Sequence, residues 1–150
     1  MSFFKRLFSS SKHAPPRRIL DVMTMQVKVA SALAGATQSN YRDIWTKEVA
    51  AVCEKADIEA ASKTSFMPWA KNHWECEDQA RALLDSLQRT AANAGHTRAA
   101  GLLFADPPQM FPDAPRHVYI FAIIGTTVTY FDPTAQVWCE RPKNIYFTLL

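Results

Sequence analysis

The chain has 150 residues, 48% of them apolar, 21% charged and 11% aromatic, a mix that excludes wholesale disorder, collagen-like repeats and coiled coil. The net charge of +3 is unevenly spread, because residues 1–18 hold Lys5, Arg6, Lys12, Arg17 and Arg18 and no acid, which leaves the rest slightly acidic. The folded part is therefore not a cationic surface for nucleic acid.

Residues 1–18 end in Ala14-Pro15-Pro16-Arg17-Arg18 and read as a basic flexible leader ahead of a single domain over residues 19–150. Phe3, Phe4, Leu7 and Phe8 beside Lys5 and Arg6 would suit a weak contact with a membrane surface or an acidic partner. The polar run Ser9-Ser10-Ser11-Lys12 interrupts them too early for a signal peptide. The longest uncharged apolar stretch, residues 118–131, is too short to span a bilayer. Cys53, Cys76 and Cys139 are odd in number and far apart, which favours a reducing, cytoplasmic setting.

From residue 19 to about 36 the apolar positions Leu20, Met23, Val27 and Ala30 share a helical face, closed by Gly35. A second helix is expected over residues 41–62, with Ile44, Val49, Val52, Ala56 and Ala60 as its stripe. Residues 64–72 read as a loop around Pro68. A third helix follows Cys76, with Ala80, Leu83, Leu84 and Leu87 at helical spacing, acids at its start and Gly95 beyond its end. The period then changes. Leu102-Leu103-Phe104 reads as a buried strand, the proline-rich segment 106–116 as a loop, and residues 117–124 and 127–131 as a hairpin turning at Gly125-Thr126. Residues 136–139 and 145–150 complete the strands. The expected fold class is α+β, with N-terminal helices followed by an antiparallel β-sheet.

The chemistry-bearing segment is His73-Trp74-Glu75-Cys76-Glu77-Asp78-Gln79-Ala80. It sets Cys76 at the start of a helix, where unpaired backbone N–H groups favour a thiolate. A nucleophilic cysteine needs a base, and the base an orienting acceptor. With Gly125 and Thr126 as the turn, Tyr119 faces Asp132, and His117 lies diagonal to Asp132 on the same sheet face. A one-residue slip would separate the two.

The order Cys76, His117, Asp132 resembles the transglutaminase-like branch of the papain-like cysteine enzymes. The matching strings are Cys76-Glu77-Asp78-Gln79-Ala80, His117-Val118-Tyr119 and Tyr130-Phe131-Asp132-Pro133-Thr134. The resemblance implies a papain-like/transglutaminase-like core and a cysteine hydrolase or acyltransferase acting on peptide or protein amides through a Cys76 thioester. It implies Cys76 as nucleophile, His117 as base and Asp132 as the acceptor fixing the imidazole. It further implies an oxyanion donor upstream of Cys76, for which Asn72 and Trp74 are candidates; Trp69 and Tyr119 are candidates for a substrate groove. Val118 departs from the family, whose members often have an aromatic residue after the histidine. A catalytically inactive binding or adaptor module is the alternative.

His73-x-x-Cys76 has ligand-like spacing but no second tight pair, so no metal is expected. Four glycines with no phosphate-loop pattern give no sign of a nucleotide cofactor. For Cys53 and Cys139 a packing role is expected.

Overall fold

The computed structural model describes residues 17–109 and 114–150. In chain order it runs β1 (Ile19–Asp21), α1 (Val22–Leu33), β2 (Thr37–Ile44), β3 (Val49–Ala51), α2 (Lys55–Ser65), α3 (Cys76–Asn93), β4 (Ala100–Ala105), β5 (His117–Ile124), β6 (Thr127–Asp132), β7 (Val137–Cys139) and β8 (Ile145–Leu149). A six-stranded sheet has the order β2-β8-β4-β5-β6-β7, and β1 and β3 form a separate antiparallel pair. Only the β2–β8 pairing in the large sheet is parallel.

The sheet is sandwiched. On one face Met25, Val29 and Leu33 of α1 join a core that includes Leu103, Tyr119, Phe121 and Ile123. On the other, Ile58 and Ala61 of α2 with Ala80, Leu83 and Leu87 of α3 join Leu102, Val118, Ile120 and Phe131. β5 is thus covered on both sides, which explains why His117–Ile124 reads as a nearly continuous apolar run rather than an alternating one. Gly101 sits where β4 meets β8. A Cβ there would stand 2.1 Å from the Leu149 carbonyl oxygen and 2.9 Å from the Phe121 ring, so no side chain fits.

The second half follows the sequence pattern closely. The β5–β6 hairpin turns at Gly125, whose φ is 60°, and pairs Ile124 with Thr127 and Ile120 with Phe131, the expected register. The first half does not, and the expected fold class of helices followed by an antiparallel sheet is corrected: three strands precede or separate the helices, and the main sheet is mixed. The expected helix over residues 41–62 is instead the end of β2, β3 and most of α2. Its stripe of Ile44, Val49 and Val52 had helical spacing, yet the backbone of β2 is satisfied by β8, more than a hundred residues away. Tertiary pairing outweighs local periodicity there. The first helix begins only at Val22, because the Asp21 carboxylate accepts a hydrogen bond from the Thr24 N–H at 2.7 Å and caps it. Its buried face is Met25, Val29 and Leu33; Met23 and Val27 are exposed.

The expected leader lies outside the described residues except for Arg17 and Arg18. The Arg17 guanidinium donates to both carboxylate oxygens of Asp57, and the Arg18 carbonyl accepts from the Val52 N–H. Among the described residues, no helix is long and apolar enough to cross a membrane.

Candidate functional site

The start of α3 is built by its acids. The Glu75 N–H donates to the Asp78 carboxylate at 3.0 Å, and the Glu75 carboxylate accepts from the Asn72 N–H at 3.1 Å. Asn72 takes a left-handed conformation, φ 63°, to make that turn. Glu77 instead pairs with Arg81 at 2.6 Å, one helical turn on. These bonds fix Cys76 as the first helical residue, half-buried at the edge of the α2–α3 core.

His117 opens β5 and Asp132 closes β6. Their side chains are 3% and 2% exposed, with His117 Nε2 2.9 Å from Asp132 Oδ1. The same Oδ1 accepts the Thr134 N–H at 2.9 Å and the Ala135 N–H at 3.3 Å. Asp132 is therefore both the turn starter before Pro133 and the histidine's partner. Cys76 also hydrogen-bonds His117; with Nε2 on Asp132, Nδ1 is the ring nitrogen left for the sulfur. The Tyr119 ring meets the imidazole edge-on, with ring centroids 4.9 Å apart.

Burial is the largest single influence on His117 and pushes its pKa down. The hydrogen bond to Asp132, the hydrogen bond to Cys76 and the charges of both outweigh it together and raise the pKa to about 9. The imidazole is thus held cationic around neutral pH. Burial pushes the Cys53 and Cys139 thiols the other way, each up to about 12. Cys53 lies in the core with its S–H on the Ala99 carbonyl. All three cysteines are free thiols.

The other sequence candidates fall into place unevenly. Trp69 is half exposed on the loop between α2 and α3. Asn72 is exposed and serves the turn through its backbone. The Trp74 Nε1 is buried and reaches no hydrogen-bond partner. Tyr119 is 3% exposed and donates its hydroxyl to the Asp106 carbonyl, so it is core rather than groove. Among the described residues, no group of three His, Cys, Asp or Glu side chains could hold a metal ion.

Sequence reasoning missed Gln79. It is 4% exposed; its amide nitrogen donates to the Met67 carbonyl and its amide oxygen accepts from the Thr134 hydroxyl at 2.6 Å. It ties the first turn of α3 to the loop bearing Trp69 and to the turn after Asp132. A polar residue on the same helix side as Leu83 was the only signal available.

Chains of this fold occur among lectins of solved structure. One is PSL1a in complex with E64, with a TM-score of 0.71 and 16% identity, covering 88% of this chain and 51% of that one. Another is Polyporus squamosus lectin bound to the human-type influenza-binding epitope Neu5Aca2-6Galb1-4GlcNAc, with a TM-score of 0.66 and 19% identity, covering 85% of this chain and 48% of that one. The chain therefore spans about half the length of these solved chains. No family model matches the sequence, and no curated protein matches it. The lectin neighbours overturn the papain-like/transglutaminase-like assignment. They overturn with it the expected cysteine hydrolase or acyltransferase and its peptide or protein substrate. The likeness, at these identities, is one of fold.

Proposed function

We propose that this chain is a ligand-binding domain centred on a reactive thiol, Cys76, with His117 and Asp132 as its supporting pair. The observation that supports the reading most is the buried His117–Asp132 contact of 2.9 Å beneath a half-buried sulfur at a helix start. The sulfur sits at the first helical position beside an imidazole held cationic around neutral pH. Such a thiol captures small electrophilic ligands, and the reading assigns it no turnover of amide bonds.

Site-resolved alkylation tests this. At pH 7 Cys76 should label with iodoacetamide far ahead of Cys53 and Cys139, whose thiols burial holds near 12. E64, the ligand of one fold neighbour, is the second probe, read as a mass increment on the Cys76 peptide. Labelling of Cys76 no faster than that of a small free thiol would remove the reading.

A second reading, glycan binding, is favoured by Trp69, whose half-exposed ring is of the kind that stacks on a sugar face, and by the glycan epitope bound to the other fold neighbour. Titration with that trisaccharide should quench Trp69 fluorescence, and Trp69→Ala should abolish the response. An unchanged response in Trp69→Ala removes this second reading.

A further inference from the structure

Of the five residues that α3 buries, four are apolar and the fifth is Gln79. An amide among Ala80, Leu83 and Leu87 costs free energy unless its polar atoms are bonded, and here both are. Nε2 donates to the Met67 carbonyl at 2.9 Å and Oε1 accepts from the Thr134 hydroxyl at 2.6 Å. The orientation of the amide is forced. The Met67 oxygen can only accept, so Nε2 must face it; Oε1 is then the atom left for Thr134, whose hydroxyl must donate.

Thr134 passes the constraint on. Its hydroxyl is committed to Gln79, and its backbone N–H donates to Asp132 Oδ1 at 2.9 Å. That same oxygen lies 2.9 Å from His117 Nε2. Gln79 stands three residues after Cys76 on α3, so hydrogen bonds lead from the helix that carries the sulfur, through Thr134 and Asp132, to the imidazole. A leucine at position 79 would continue the apolar stripe without polar cost, but only directed, fully satisfied bonds fix a geometry. The turn after Asp132 has a second anchor. Gln136 Nε2 donates to the Ser62 hydroxyl of α2 at 2.9 Å, and α2 carries none of Cys76, His117 and Asp132.

We propose that Gln79 is a positioning residue: through the Thr134 hydroxyl it sets the Asp132–His117 pair against the first turn of α3 and so holds the imidazole in reach of the Cys76 sulfur. It rests on the reactive-thiol reading above. Gln79 acts by way of Thr134 and Asp132, not on the sulfur itself.

The test is the rate of Cys76 alkylation by iodoacetamide in the full chain, read by peptide mass spectrometry. Cys53, buried in the core, is followed in the same samples as the gauge of core opening. Gln79→Met and Thr134→Val should each slow Cys76 roughly tenfold near neutral pH. The double substitution should slow it no further, because both cut one link. The loss should be deeper at about pH 6 than at about pH 8.5, where a thiol ionises without help from an imidazolium. Thr134→Ser returns the hydroxyl and should recover the rate. Ser62→Ala cuts the other anchor of the same turn and should leave the Cys76 rate within about twofold. Thr134 is half-buried, so Thr134→Val decides the matter where Gln79→Met opens the core and Cys53 labels in step with Cys76. A Cys76 rate and pH profile unmoved by Thr134→Val, or slowed as much by Ser62→Ala, overturns the positioning role and leaves the reactive thiol standing. Slow labelling of Cys76 in the unaltered chain overturns the thiol reading, and the positioning role with it.

Discussion

The two sides of the sheet are secured by connections of opposite kind. At β5–β6 the strands are joined by a two-residue turn, and the contact at their far end, His117 to Asp132, spans fifteen residues. At β2–β8 the pairing is parallel and joins Arg42 to Phe147 and Ile44 to Leu149, with a side-chain bond across it from Tyr41 to Thr148 at 2.7 Å. β2 is exposed along nearly its whole length. The hairpin side closes a short loop and buries both faces. The β2 side closes a loop of most of the chain and buries little, so the entropy of closure is offset there mainly by its neighbours. The candidate site lies on the secured side, where polar groups can be held in one geometry. The exposed β2 flank is the part expected to open first.

The strongest break of that contrast is at the joint between the two sides. Gly101→Ala places a methyl into the Leu149 carbonyl, and backbone rather than a flexible side chain must yield. The expected loss is about 3 kcal/mol or more, measured by urea denaturation, with β8 and β2 losing amide-exchange protection before β5 and β6. Loss of protection in β5 first would reverse the comparison.

The next effect sharpens the site. His117 has its pKa raised to about 9 in the folded chain, above the ~6.5 of an unfolded histidine. Its contribution to stability is therefore fully present below about pH 6.5 and is lost as pH rises through about 9. The pH-dependent part is bounded at roughly 3 kcal/mol. Asp132→Asn keeps an oxygen for the Thr134 and Ala135 N–H groups but removes the charge. It should flatten this slope, leave stability above pH 9 within about 1 kcal/mol, and slow Cys76 alkylation near neutral pH roughly tenfold or more. Denaturation midpoints across pH and labelling rates check the three outcomes together. An unchanged slope means that the carboxylate only starts the turn.

The smallest effect concerns the flank. Tyr41→Phe removes the hydrogen bond to Thr148, leaving a buried hydroxyl on the sheet. A loss of about 1 kcal/mol is expected, seen as faster amide exchange in β2 with the alkylation rate of Cys76 unchanged. A matching change at Cys76 would show that the two sides are coupled.

Where the chain pairs with its near neighbours, its pattern is legible. Gly125-Thr126 between two β-rich runs determined the hairpin and its register. The spacing of Ala80, Leu83 and Leu87 with acids before it determined α3 and the placing of Cys76 at its start. Because register fixes which side chains share a face, His117 and Asp132 could be brought together from the sequence alone. Tertiary structure decided what those patterns leave open. Residues 37–51 became strands because β8 and β1 supply their partners. Met25 rather than Met23 faces the core because the Asp21 cap and the sheet selected one of two apolar stripes. Gln79 reached the Met67 carbonyl and the Thr134 hydroxyl only through the fold, since the three lie on separate stretches of chain. Local periodicity carries no record of partners that lie a hundred residues away, and it is those partners that built the rest of the fold.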